Sequence, residues 1–128
     1  MTRIFLPPDD QKKKRIAVRM PKEMHKSILQ CLMEKGLSAR SISSWVSESI
    51  LDLMRDNSYC EIIAEEWLDK GDCLSRPLTI SSQAYNALEK INAMVRCKLH
   101  MGPDINSKII RASITQRLIR EEHSSMTM

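Results

Sequence analysis

Polar and apolar residues alternate between Arg15 and Met20, with Arg15, Ala17 and Arg19 on one side and Ile16, Val18 and Met20 on the other. A period of two predicts a β-strand with one apolar face. A lone solvated strand does not persist, so this one must pair with another and present its arginines together. The period then lengthens. Pro21 suits the first turn of a helix, where its missing N–H costs nothing. Met24, Ile28, Leu29, Leu32 and Met33 recur at three and four, which predicts an amphipathic helix. Gly36 closes it, because glycine accepts the left-handed conformation that ends helices. Ser38 and Ser41 are N-cap candidates for a second helix carrying Ile42, Trp45, Val46, Ile50, Leu53 and Met54.

Asp56-Asn57-Ser58 interrupts the pattern, and Tyr59, Ile62, Ile63, Trp67 and Leu68 predict a short acidic helix over 58–69. Lys70-Gly71-Asp72 stops it. Leu78-Thr79-Ile80 alternates again, Ser81 or Ser82 supplies a cap, and Tyr85, Leu88, Ile91, Val95 and Leu99 form one face up to Met101. Gly102-Pro103 ends that helix. Asp104, Asn106 or Ser107 caps the last one, whose face is Ile109, Ile110, Ile114, Leu118 and Ile119.

Strand, helix, glycine and helix thus occur twice, at about 14–55 and 76–122. The predicted organisation is an N-terminal arm (1–11), a first unit (12–55), an acidic linker with a short helix (56–74), a second, divergent unit (75–122) and a fraying tail (123–128). The fold class is mainly α with a short two-stranded antiparallel β-ribbon. Strand 14–20 is expected to pair with strand 75–80 of the same chain, since the linker holds them at an effective concentration of order millimolar; the rival arrangement is a homodimer in which the two basic strands pair with each other.

Composition narrows the class. The chain has 128 residues, enough for one compact domain or two very small ones. Three glycines and few aromatics argue against an all-β sandwich. No apolar run approaches the roughly 18 residues that cross a bilayer, and the opening Met1–Pro8 has too short an apolar core for a signal peptide. A cytoplasmic protein without a membrane partner is expected.

The net charge is +4, and its distribution matters more than its size. Nine Lys/Arg precede Leu37 against Asp9, Asp10, Glu23 and Glu34. Only Arg40, Arg55 and Lys70 accompany eight carboxylates between Leu37 and Ser75, and basic residues predominate again from Arg76. Such segregation points to a defined basic surface rather than a diffuse one.

Catalytic chemistry finds no support. Cys31, Cys60, Cys73 and Cys97 lack zinc-knuckle spacing, and His25, His100 and His123 supply no matching pair. Reduced, buried or half-buried thiols are expected, with no metal and no cofactor. Ser43, Ser44 and Ser47 have no histidine placed to activate them and are read as the polar side of a helix. Glu65-Glu66 and Asp9-Asp10 are read as solvated pairs. Trp45 and Trp67 are read as packing anchors rather than base-stacking platforms.

Lys14-Arg15-Ile16-Ala17-Val18-Arg19-Met20-Pro21, a helix, Gly36-Leu37-Ser38 and a second helix resemble the ribbon-helix-helix superfamily. The second unit is similar only in outline, and tandem copies in one chain also resemble the TraY-type accessory proteins of conjugative plasmids. The resemblance implies a ribbon inserted into the DNA major groove, with Arg15, Ala17, Arg19 and Thr79 at the bases. It implies phosphate contacts at Lys12, Lys13 and Lys14 and at the helix starts: Ser38, Arg40 and Ser41, then Asn106, Ser107 and Lys108. General physics agrees, since helix N-termini attract anions and arginine bonds guanine bidentately. The second strand departs from the pattern. It puts Ser75, Pro77 and Thr79 on the reading face and Arg76 on the inner one, so it reads less by charge.

The expected function is sequence-specific binding of double-stranded DNA, as a plasmid transfer-origin accessory factor or a transcriptional repressor. A relaxase or another protein would be a further partner. The chain itself would form an intramolecular pseudo-dimer or a homo-oligomer on DNA. The alternative is an antitoxin-like or other protein-interaction module that uses the acidic central helix.

Overall fold

A computed structural model describes residues 13–66, 72–98 and 105–126. Strand β1 (Lys14–Pro21) pairs antiparallel with strand β2 (Cys73–Ile80) in a two-stranded sheet within the one chain. The register sets Arg15 opposite Thr79, Ala17 opposite Pro77 and Arg19 opposite Ser75. Just past the ladder, the Lys22 N–H donates to Asp72 O at 3.0 Å. Counting back in twos, the N–H groups of Arg19 and Thr79 point away from the partner strand. Pro77 falls in the same phase, so its missing N–H costs the ladder nothing. A proline in mid-strand is tolerated for that reason.

Five helices complete the described fold: α1 (Lys22–Glu34), α2 (Ile42–Met54), α3 (Tyr59–Glu65), α4 (Ser82–Lys98) and α5 (Ile105–Met126). Strand, helix and helix therefore precede α3, and the same order follows it. Pro21 is not in the first turn of α1 but is the last residue of β1, extended at φ −62° and ψ 145°. Its pairing with Cys73 continues the ladder that far. Gly36 has φ +76°, and a Cβ there would meet nothing within 4 Å. Backbone conformation alone requires glycine at that turn.

The inner ribbon face and the helices share one apolar core. Val18, Met20, Leu78 and Ile80 descend from the strands, and Ile28, Trp45, Ile50, Leu88, Ile91 and Ile114 meet them from α1, α2, α4 and α5. Helix α2 packs chiefly on α5 and α4, which ties the two halves of the chain together. Each fully buried Leu or Ile contributes about 1.5–3 kcal/mol. An exposed ion pair such as Lys26–Glu23 contributes about 0–1 kcal/mol, so burial dominates.

Several expectations shift. Met33 and Ile119 are 72% and 44% exposed instead of facing the core. Helix α3 ends at Glu65, and α5 runs on to Met126 rather than stopping at residue 122. Cys31 is buried and Cys60 and Cys73 are half-buried, but Cys97 is exposed. Trp45 is in the core at 3% exposure. The arm 1–11, Lys12, Trp67, Leu68, Gly71, the Gly102-Pro103 stop and Asp104 lie outside the described residues.

Candidate nucleic-acid interface

Alternation gives the ribbon two unlike faces. Arg15, Ala17, Arg19, Ser75, Pro77 and Thr79 are all exposed, whereas Val18, Met20, Leu78 and Ile80 are buried. Lys13 and Lys14 continue the exposed basic run at the entry to β1, with the Lys14 ammonium 5.4 Å from the centre of the Tyr85 ring. Among the described residues Arg15, Arg19 and Arg40 pair with no carboxylate, whereas Arg55, Arg111, Arg117 and Arg120 all do. Arg76 on the inner ribbon face and Arg96 on α4 also lack a carboxylate partner, but Arg15, Arg19 and Arg40 are the ones gathered at the ribbon's outer face and the start of α2. That is where a polyanion would find charge uncommitted.

An open cleft of about 360 Å³ lies beside the Arg15–Thr79 end of the ribbon. Lys13, Arg40, Ser43, Ser44, Glu48 and Thr79 line it. A 3₁₀ turn, Ala39–Ser41, leads into α2 at its edge. The Ser38 hydroxyl accepts from the Arg40 N–H at 3.3 Å, and the Ser41 N–H donates to Ser38 O at 3.0 Å. The Ile42 N–H is likewise taken, by Ala39 O. These three amides are engaged within the turn and are not free for an anion. Ser41 itself makes no side-chain cap.

The start of α5 is built differently. Asn106 is exposed, and its Oδ1 accepts from Asn92 Nδ2 at 2.7 Å. Lys108 is half-buried. Ser107 is only 3% exposed, and its Oγ accepts from the Arg19 N–H at 3.3 Å. The expectation of Ser107 at a phosphate is therefore corrected for its hydroxyl, which faces β1 and not solvent.

The serines of α2 also have a task that periodicity did not reveal. The Thr79 N–H donates to Ser43 Oγ at 3.1 Å, and the Ser81 N–H donates to Ser47 Oγ at 3.1 Å. Ser47 is buried, which corrects its reading as part of a polar helix face. Unpaired ribbon edges invite other strands. Ser107 and Ser43 cap edge donors on β1 and β2, and Ser47 caps the residue just past β2. The pairing of Ser43 with Ser47 one turn apart, adjoining an apolar stripe, was the available sequence signal.

Two buried polar groups were also unforeseen. Arg111 Nε donates to Glu66 Oε1 at 2.8 Å, with side chains 5% and 9% exposed. Glu66 is thus no member of a solvated Glu65-Glu66 pair. Arg76 is half-buried on the inner ribbon face, as its place in the alternation predicts. Its Nε and the His25 Nε2 are buried without hydrogen-bond partners. Burial first, and the Arg76 charge second, hold the His25 pKa below its ordinary value. Elsewhere, burial and then the Glu121 carboxylate push the Cys31 thiol up, away from thiolate character.

Among the described residues, no group of three or more His, Cys, Asp or Glu side chains is arranged to hold a metal ion. No described helix is long and apolar enough to cross a membrane. No family model, curated protein or solved structure matches the chain.

Proposed function

We propose that this chain is a sequence-specific, non-catalytic binder of double-stranded DNA that sets the outer face of its ribbon into the major groove. The observation that carries the reading is the shared exposure of Arg15, Ala17, Arg19, Ser75, Pro77 and Thr79 on one face of a two-stranded ribbon. A ribbon of that width fits the groove, and unpaired arginines suit guanine O6 and N7. Lys13 and Arg40 beside the face supply phosphate contacts that carry no sequence information.

A tandem ribbon-helix-helix arrangement draws support from matched edge contacts. Exchanging the strands about the Ala17–Pro77 pair exchanges Arg19 with Thr79. It also exchanges the Arg19–Ser107 bond at the start of α5 with the Thr79–Ser43 bond at the start of α2. The biological use is a repressor or a transfer-origin accessory factor in the cytoplasm, with a relaxase as a further partner in the second case. The interaction-module alternative is weakened, because Glu66 of the acidic segment is committed to Arg111.

Mobility shift of random-sequence duplexes at two salt concentrations tests the reading. Binding that weakens steeply with salt, and that survives competitor on a subset of sequences, is expected. No retardation at low salt contradicts it.

A further inference from the structure

The two arginines of the outer face are not held alike. Arg19 is gripped through its backbone on the side away from β2: its N–H donates to Ser107 Oγ at 3.3 Å, and its carbonyl accepts from Arg111 Nη1 at 2.8 Å. These two contacts stand in, at one residue, for the neighbouring strand that the ribbon lacks. Arg111 is itself fixed, since its Nε bonds Glu66 Oε1 while Nη1 bonds the strand. A planar guanidinium with partners on two different nitrogens has little freedom left. Among the described residues no comparable contact reaches the backbone of Arg15.

We propose that Ser107, Arg111 and Glu66 are positioning residues for Arg19, and that Arg19 consequently discriminates between base pairs more sharply than Arg15 does. The inference rests on the DNA reading of the ribbon. Bidentate bonding to guanine demands that both guanidinium nitrogens arrive together. A Cα that wanders spreads those arrival points, and the order must then be imposed at binding. Arg19 starts from an anchored Cα with a free side chain on an exposed face. Arg15 starts from a strand whose outer edge is open.

The pair Glu66–Arg111 also reaches across the fold. Glu66 follows directly on α3, whereas Arg111 lies in α5 and Arg19 in β1. Removing one charge would strand the other in the core and endanger folding. Two variants avoid that. Ser107→Ala deletes the N–H acceptor, and the double change Glu66→Leu with Arg111→Met removes both charges while keeping apolar bulk.

Two measurements on the full chain decide. The first needs no DNA: amide exchange of Arg19 should quicken about three- to tenfold in Ser107→Ala, as expected for one lost hydrogen bond, while the Val18 amide stays put. The second compares affinity for a duplex that the wild-type chain selects from a randomised pool with affinity for random duplex of equal length. That ratio should fall about three- to tenfold in both variants, and the loss should vanish when the base pair read by Arg19 is already changed. A ratio that does not move in either variant overturns the inference, and leaves DNA reading by the ribbon intact. Failure of the wild-type chain to select any duplex overturns the reading itself, and the inference with it.

Discussion

Ala17 and Pro77 face each other across the middle of the ribbon, both exposed and both in the phase where an N–H would point outward. They form a small uncharged centre between Arg15 and Arg19. Such pairs have Cα atoms about 4.5 Å apart, inside the range that a disulfide spans. In a background lacking the native Cys60, Cys73 and Cys97, Ala17→Cys with Pro77→Cys should therefore oxidise within one chain. A band of doubled mass formed by Ala17→Cys alone, as efficiently as the double variant closes internally, would show instead that two β1 strands pair between chains.

The same pair defines an asymmetry. Exchanging strands about it places Ser75 where Arg15 stands and Thr79 where Arg19 stands. A reader of that kind should select sites without dyad symmetry, unlike a homodimer on a palindrome. Arg15→Ala and Arg19→Ala should each cost about 1–3 kcal/mol on the selected site, Arg19→Ala the more of the two, and less on random duplex. Equal loss on both kinds of DNA, or a palindromic selected site, would count against base reading by these side chains.

The edge serines give a stability prediction independent of DNA. Ser47 Oγ satisfies the part-buried Ser81 N–H, and Ser43 Oγ satisfies the more exposed Thr79 N–H. Ser47→Ala should cost about 1–3 kcal/mol in urea unfolding, because a shielded donor is left unmet. Ser43→Ala should cost less, about 0.5–1.5 kcal/mol, because water can replace the hydroxyl. The reverse order would show that these contacts do not close the strand edge.

How far the sequence reached depends on the range of each interaction. The strand at Arg15–Met20, both helices of the first half and the turn at Gly36 follow from spacing alone, because periodicity reports which side of a local element meets the core. The intrachain ribbon was legible too, from the tether and from the alternation near Thr79. Ser107 and Arg111 were not. Their partner Arg19 lies 88 and 92 residues away, and a serine or arginine that turns inward to a strand edge looks, in sequence, like one that faces water. Glu66 misled for the same reason, since the neutralising charge sits in another helix.

Acid should loosen the fold in two steps. The His25 pKa lies below its unfolded value of about 6.5, so the unfolded chain takes up the proton first. Its contribution to stability is complete above that pH and declines as pH falls from there towards the folded pKa. Glu121, held low chiefly by the Lys35 hydrogen bond, acts in a separate window below about pH 4.3. His25→Leu should remove the decline that begins below about pH 6.5 and leave the lower one. Thermal melts across pH check this. A melting temperature equally pH-dependent in His25→Leu over the upper window would rule out buried His25 as the origin.

Groove-specific chemical protection asks whether the ribbon enters the major groove. Dimethyl sulfate methylates guanine at N7, in the major groove, and adenine at N3, in the minor groove. On a duplex selected by the wild-type chain, guanine N7 should be protected, and the protection should be lost at one base pair in Arg19→Ala and at another in Arg15→Ala. Adenine N3 should remain reactive throughout. Protection confined to adenine N3, or guanine N7 protection that persists unchanged in both variants, would contradict a ribbon that reads the major groove.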